Sequence, residues 1–182
     1  MAGGFLDKKS FKSRIPYQGI KSFWRAYYSQ NLATADFAVY GVPCDASIVN
    51  RPGTRYGPRA IREQSCYVAI PGVHWPFDYD FMQKHRLIDW GDIGFYPGQV
   101  GEMLVNAEEE ITRTPLPGGI TSAMQREIIW GLSGLNIVGG DVVEVSPPYD
   151  PSHITAILGA TLGMDILYVM AESPMYKNRK RG

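Results

Sequence analysis

Two carboxylates three residues apart, Asp141 and Glu144, stand in the stretch Gly139-Gly140-Asp141-Val142-Val143-Glu144-Val145-Ser146-Pro147-Pro148-Tyr149-Asp150. A carboxylate held at the rim of a fold can grip a cationic ligand through charge-assisted hydrogen bonds. The flanking elements would have to present it. Asn136 to Val145 is rich in β-branched residues, apolar on both faces and short, which predicts a buried strand. Two prolines stop it, and Asp150-Pro151 reads as an N-cap followed by proline at the first helical position. Open α/β sheets place ligands outside the C-terminal ends of their strands, so Glu144 is the candidate binding residue. A structural alternative stands beside it: Asp141 and Glu144 satisfying backbone amides at the strand end.

The other groups with chemical potential are sparse. His74, His85 and His153 are the only histidines, and none has a second histidine or a carboxylate at a ligand-like spacing. A hard-cation site needs several oxygen ligands, often with imidazoles, converging from separate elements. Asp78 and Asp80 form a D-x-D pair with no third aspartate behind it. Cys44 and Cys66 make neither a disulfide framework nor a paired-cysteine metal motif, and predict reduced thiols in an intracellular, cytoplasmic protein. No continuous apolar core follows Lys8, Lys9 and Lys12, so no secretory signal is expected; a mitochondrial presequence is left open by composition.

At 182 residues and 45% hydrophobic content the chain suits one domain and one core. Lys plus Arg equals Asp plus Glu, which removes any global field favouring nucleic acid or an anionic membrane. The run Ile154 to Ala171 approaches membrane-spanning length, but Asp165 lies inside it and Gly159 and Gly163 interrupt it. A core helix over 150–171 is predicted, and neither a nucleic acid nor a membrane partner.

In chain order, 1–30 reads as an extended lead-in that is polar at its start and aromatic over Tyr17 to Ser29, where Phe23, Trp24, Tyr27 and Tyr28 suggest packing or a subunit contact. Asp36 to Pro43 predicts a buried strand. Pro58 opens a helix behind the loop Ser47 to Gly57. Arg86 to Ile93 predicts a further strand. Gln99 to Arg113 predicts a helix, with Val100, Met103, Leu104, Ala107 and Ile111 on one face and Glu102, Glu108 and Glu109 on a solvated one. Ser122-Ala123-Met124-Gln125 reads as a capping box whose helix buries Met124, Ile128, Ile129 and Leu132.

Four stretches carry a resemblance. Gly19-Ile20-Lys21-Ser22-Phe23-Trp24-Arg25, the loop Arg51-Pro52-Gly53-Thr54-Arg55-Tyr56-Gly57-Pro58-Arg59-Ala60-Ile61-Arg62, Asp89-Trp90-Gly91-Asp92 and Asp141 to Asp150 together resemble the ureohydrolases, the arginase and agmatinase family, in its agmatinase-like branch. The resemblance implies a three-layer α/β/α sandwich around a mostly parallel sheet. It also implies hydrolysis of a guanidino compound such as agmatine to urea and an amine at a centre of two manganese ions. Glu144 matches the family's glutamate that grips the substrate guanidinium. The arginines of the 51–62 loop match positions that serve structure and subunit contacts, and Arg51 and Arg55 are given no catalytic role.

The resemblance breaks in the middle. The family continues through GGDHS, DAHxD and D-x-D-xx-DP motifs, which supply its metal ligands. Here Ile111-Thr112-Arg113 runs directly into Thr114-Pro115-Leu116-Pro117-Gly118-Gly119. Gly139-Gly140-Asp141 resembles the start of GGDHS, but Val142 and Val143 stand where histidine and serine are required. The expectation is a single incomplete domain over 1–182 that has lost central strands, with a deletion junction near 110–115 and only three legible strands. No catalytic residue and no metal ligand are assigned, and manganese is not expected to bind this chain. The expected function is that of a shortened, inactive agmatinase-like ureohydrolase. The alternative is a non-catalytic protein that docks on a full-length ureohydrolase subunit or binds a guanidino ligand, in a homo- or hetero-oligomer.

Overall fold

A computed structural model of the chain describes residues 19–45, 52–70, 72–94 and 120–179. The helix predicted over Gln99–Arg113, the junction at 110–115 and residues Ser47 to Arg51 of the predicted loop lie outside the described residues.

Among the described residues three parallel strands form a sheet: β1 (Tyr27–Tyr28), β2 (Phe37–Gly41) and β3 (Leu87–Asp92), in the order β1-β3-β2. β3 is central and is buried over Leu87, Ile88 and Asp89. β2, predicted as a buried strand, buries Phe37 and Gly41 but exposes Ala38 and Tyr40. Among the described residues it is an edge strand, paired with β3 alone.

Helix α1 (Gly57–Val68) starts where expected, with Pro58 in its first turn. A short helix, α2 (Phe81–Lys84), precedes β3. Its N-cap is Asp80, whose carboxylate accepts from the Met82 and Gly72 amides and from Gln83 Nε2. Half of the D-x-D pair is thereby a cap.

Helix α3 (Ser122–Gly131) is capped one residue earlier than predicted. Thr121 Oγ1 accepts from the Met124 amide, so Ser122 is the first helical residue rather than the cap. None of its residues is buried, against the predicted buried face; Met124, Ile128 and Leu132 are 48%, 54% and 39% exposed. The stripe is present, but no described element covers it.

Helix α4 (Ile154–Glu172) starts later than Asp150, after a 3₁₀ turn at Pro147–Tyr149. Asp150 still caps it, since its buried Oδ2 accepts from the amides of Thr155 and Ala156 at 3.0 and 3.2 Å. Helix α5 (Pro174–Arg179) follows. Among the described residues α4 alone is long and apolar enough to cross a membrane, and half of it is buried inside the fold.

Phe23, Trp24, Phe37, Phe81, Leu87, Met164, Leu167 and Tyr168 make the main core, with a second cluster of Ala60, Val145 and Ala156. Burying a side chain of Leu or Phe size contributes about 1.5–3 kcal/mol.

The predicted strand Asn136–Val145 is not a strand. The segment carries no regular structure and is largely exposed, Val138 and Val143 strongly so. A parallel strand is stable only beside a partner that takes its amides and carbonyls. β1 and β2 each pair with β3, and 136–145 forms no ladder with any of the three. The third strand is Tyr27–Tyr28 instead.

Candidate functional site

The C-terminal ends of β2 and β3 meet the first turns of α1 around Arg62. Its Nε and Nη2 reach Asp89 Oδ2 and Oδ1 at 2.8 and 3.1 Å, Nη1 reaches Asp92 Oδ1 at 2.6 Å, and Nη2 also donates to the Gly91 carbonyl. Asp89 is fully buried and further accepts from the Phe23 and Gly91 amides. The aspartates of the D-x-GD pattern therefore fasten the lead-in and α1 to the sheet. A shallow open depression lined by Lys21, Arg59, Arg62, Glu63 and Asp92 lies beside them.

The lead-in is sewn down along its length. The Trp24 amide donates to Ser65 Oγ, and Arg25 Nε donates to the Cys66 carbonyl at the end of α1. Trp24 and Arg25 take left-handed backbone angles to do so. Phe23 and Trp24 are packed in the core, while Tyr27 and Tyr28 are half exposed.

Glu144 is exposed, and its place differs from the prediction. It lies in an extended segment rather than at a strand end, with a left-handed φ of 65°. A non-glycine residue there carries about 1–3 kcal/mol of local strain. The next residue explains the position: Val145 is buried between Ala60 and Ala156 and fixes the chain against α1 and α4. A Cβ on Gly57 would lie 2.6 Å from the Val145 carbonyl, and one on Gly53 would lie 2.7 Å from Pro148. The structure thus brings the Gly53–Gly57 loop and the Val145–Pro148 segment together, next to Glu144. Asp141 is exposed. Arg55 is paired with the buried Asp45, whose carboxylate also accepts from the Gly53 amide. The hydrogen bond from Arg55, helped by that amide, holds Asp45 below the usual carboxylate range against its desolvation.

The three histidines have separate settings. His74 Nε2 lies 3.1 Å from Asp165 Oδ1, His85 Nδ1 lies 2.9 Å from the Tyr176 hydroxyl, and His153 is the residue before α4. Among the described residues, no three His, Cys, Asp or Glu side chains come together as a metal ion requires. The donors among those described residues do not gather in the way a dinuclear manganese centre requires. Cys44 and Cys66 are both free and buried, and burial raises the Cys66 thiol pKa.

Sequence reasoning missed one cluster. Asp165, fully buried on α4, is held by His74 and by Arg126 of α3, whose Nε and Nη2 lie 2.7 and 3.2 Å from its two oxygens. A lone carboxylate inside an apolar helix signals that a cation must face it. The contact to His74 spans 91 residues, which no local pattern encodes.

Comparison with known proteins agrees with this geometry. Solved ureohydrolases share the fold: a hypothetical agmatinase from Burkholderia thailandensis at TM-score 0.74 and 20% identity, covering 85% of this chain and 91% of that one. A proclavaminate amidino hydrolase from Streptomyces clavuligerus matches at TM-score 0.76 and 18% identity, over 87% and 99%. The architecture is therefore the α/β fold of the ureohydrolases, with a parallel sheet and helices. A model of the arginase family matches residues 35–114 and 110–168, and the chain belongs to that family. An agmatinase from Serratia proteamaculans (strain 568) is 53% identical over 60 residues, 33% of this chain and 20% of that protein. A guanidinopropionase from Pseudomonas aeruginosa is 50% identical over 62 residues, 34% of this chain and 20% of that protein. The chain spans about a fifth of the length of the curated relatives it matches.

Proposed function

We propose that this chain is a shortened agmatinase-like ureohydrolase that does not hydrolyse guanidino compounds by itself. The observation that carries the reading is the donor inventory: the chain's three histidines serve Asp165, Tyr176 and the start of α4, and no metal-holding cluster forms among the described residues. Hydrolysis of a guanidinium at neutral pH needs an activated water, and the family draws it from a metal that lowers the water pKa. The meeting of the two family-matched pieces at 110–114 supports an internal loss near that point, within one incomplete domain. Glu144 keeps a cation-binding role in this proposal: it is exposed and stands beside the Gly53–Gly57 loop, where a guanidinium can reach it.

A second reading is favoured by one feature. Met124 and Ile128 of α3 and Leu132, its C-cap, are exposed, as a non-catalytic subunit docking on a full-length ureohydrolase would require. The free thiols support an intracellular, cytoplasmic setting for either reading.

The test is metal analysis and urea release on purified, folded protein given manganese with agmatine, guanidinopropionate or arginine. Absence of stoichiometric manganese and of urea is expected. Bound manganese with urea production overturns the proposal.

A further inference from the structure

Residues 136–145 are laid along α4. The Ser173 hydroxyl, just past the C-terminal end of α4, donates to Asn136 Oδ1 at 3.0 Å. A Cβ on Gly140 would meet Ile166 Cγ2 at 2.8 Å, and Val142 and Val145 stand against Gly163 and Gly159. From Ser173 back to Gly159 the helix rises about 21 Å, further than the steps from Asn136 to Val145 reach in helical form. The segment is therefore drawn out and runs antiparallel to α4, as a strand lies on the helix that covers its sheet.

What it lacks is a neighbour. Among the described residues, no backbone amide or carbonyl of 138–143 hydrogen-bonds to another backbone group. Val138 and Val143 are 71% and 60% exposed. A drawn-out, β-branched segment with open backbone groups is a template for strand pairing.

The sequence of the segment says which strand fits. About Gly140 the apolar residues stand in mirror order, Ile137 and Val138 on one side, Val142 and Val143 on the other. Two copies running antiparallel with Gly140 on the two-fold axis set Ile137 against Val143, Val138 against Val142 and Gly139 against Asp141. Each contact is then made twice, as a two-fold interface requires. Moving the axis to Asp141 would put two aspartates face to face, and like charges directly opposite are destabilising. Moving it to Gly139 would set Val142 against Asn136 and break the apolar match. The left-handed backbone of Glu144 ends the ladder on its far side.

We propose that 137–143 is a dimerisation strand, through which two copies of this chain pair antiparallel about Gly140. The pairing uses neither the exposed stripe of α3 nor a ligand at Glu144, so it stands apart from both readings of function.

The experiment is analytical ultracentrifugation of the full chain as wild type, V138D and I128E. Wild type is expected to dimerise with rising concentration. V138D places an acid at an exposed position opposite Val142 of the second copy, and should dimerise at least about tenfold more weakly. I128E, altered only on the α3 stripe, should dimerise as wild type does. A cross-link fixes the register. Gly139 and Asp141 are exposed, and the native Cys44 and Cys66 are buried. Mild oxidation of a mixture of G139C and D141C should give disulfide dimers much faster than either variant alone. Opposite residues lie within disulfide reach, whereas diagonal ones are about 7–8 Å apart. Should V138D fail to fold, the cross-link decides alone. A wild type that stays monomeric, a V138D that dimerises like wild type, a dimer lost in I128E, or equal cross-linking of the mixture and the single variants overturns the proposal.

Discussion

Arg62 holds Asp89 with two nitrogens on two oxygens, 2.8 and 3.1 Å apart, and Asp89 in turn receives the Phe23 amide at 2.7 Å. One buried carboxylate thereby joins α1, β3 and the lead-in. Removing one partner of such a pair strands a buried charge and costs about 3–5 kcal/mol. Arg62→Ala and Asp89→Ala should each lower Tm sharply in a thermal melt. A double variant losing no more than either single variant would show that they act as one unit.

Acid should weaken the fold through Asp165. Burial alone would raise its pKa, but hydrogen bonds from His74 and Arg126 outweigh that and leave it below the usual carboxylate value. A depressed folded pKa means stability that is present above the unfolded value and lost as pH falls through the folded one. Asp165→Asn should be less stable than wild type at neutral pH and should flatten the decline below the ordinary carboxylate range. Chemical denaturation across pH reads both effects.

Tyr168 joins two segments by its hydroxyl, which accepts from the Phe81 amide at 3.0 Å and donates to the Tyr79 carbonyl at 3.1 Å. Burial pushes its pKa up to about 12. Tyr168→Phe leaves the buried Phe81 amide unsatisfied and should cost about 1–3 kcal/mol. Urea denaturation measures the loss.

Gly57→Ala tests the placement of Glu144. The new methyl would stand 2.6 Å from the Val145 carbonyl, so the 145–148 segment must move away. Overpacking of this kind costs about 1–3 kcal/mol. Faster proteolysis near Glu144 is expected; an unchanged cleavage pattern and Tm would show that the two segments are not in contact.

Ile128 points the other way. It is more than half exposed on α3, so Ile128→Glu should change stability by no more than about 0.5 kcal/mol while improving solubility. A large loss of Tm would mean the stripe is covered.

Much of the fold was legible because it is local. Pro58 marks α1, the apolar runs mark β2, β3 and α4, and Asp150 caps α4 even though the helix begins four residues on. Strand formation at 136–145 was misread because the pattern reports apolar character, while a strand also needs a neighbour. Tyr27–Tyr28 escaped notice because two residues carry no period. The α3 face was misread for a related reason: a stripe states what wants covering and says nothing of whether a cover is present. At the candidate site, Glu144 was visible from its motif, but its exposure and left-handed backbone follow from Val145 being drawn into the small core beside Ala60. The Asp165–Arg126–His74 contact needed the tertiary structure, since only the lone acid within α4 hinted at it.

The strand order has a consequence for synthesis. β1 and β2 emerge first, yet among the described residues each pairs only with β3, which is complete at Asp92. None of these rungs can close before Leu87 has been made, the ladder is complete only with Asp92, and Phe37 waits for Leu87 to arrive beside it. Nascent chains stalled before Leu87 should therefore be bound by holdase chaperones, and those stalled well beyond Asp92 should begin to shed them.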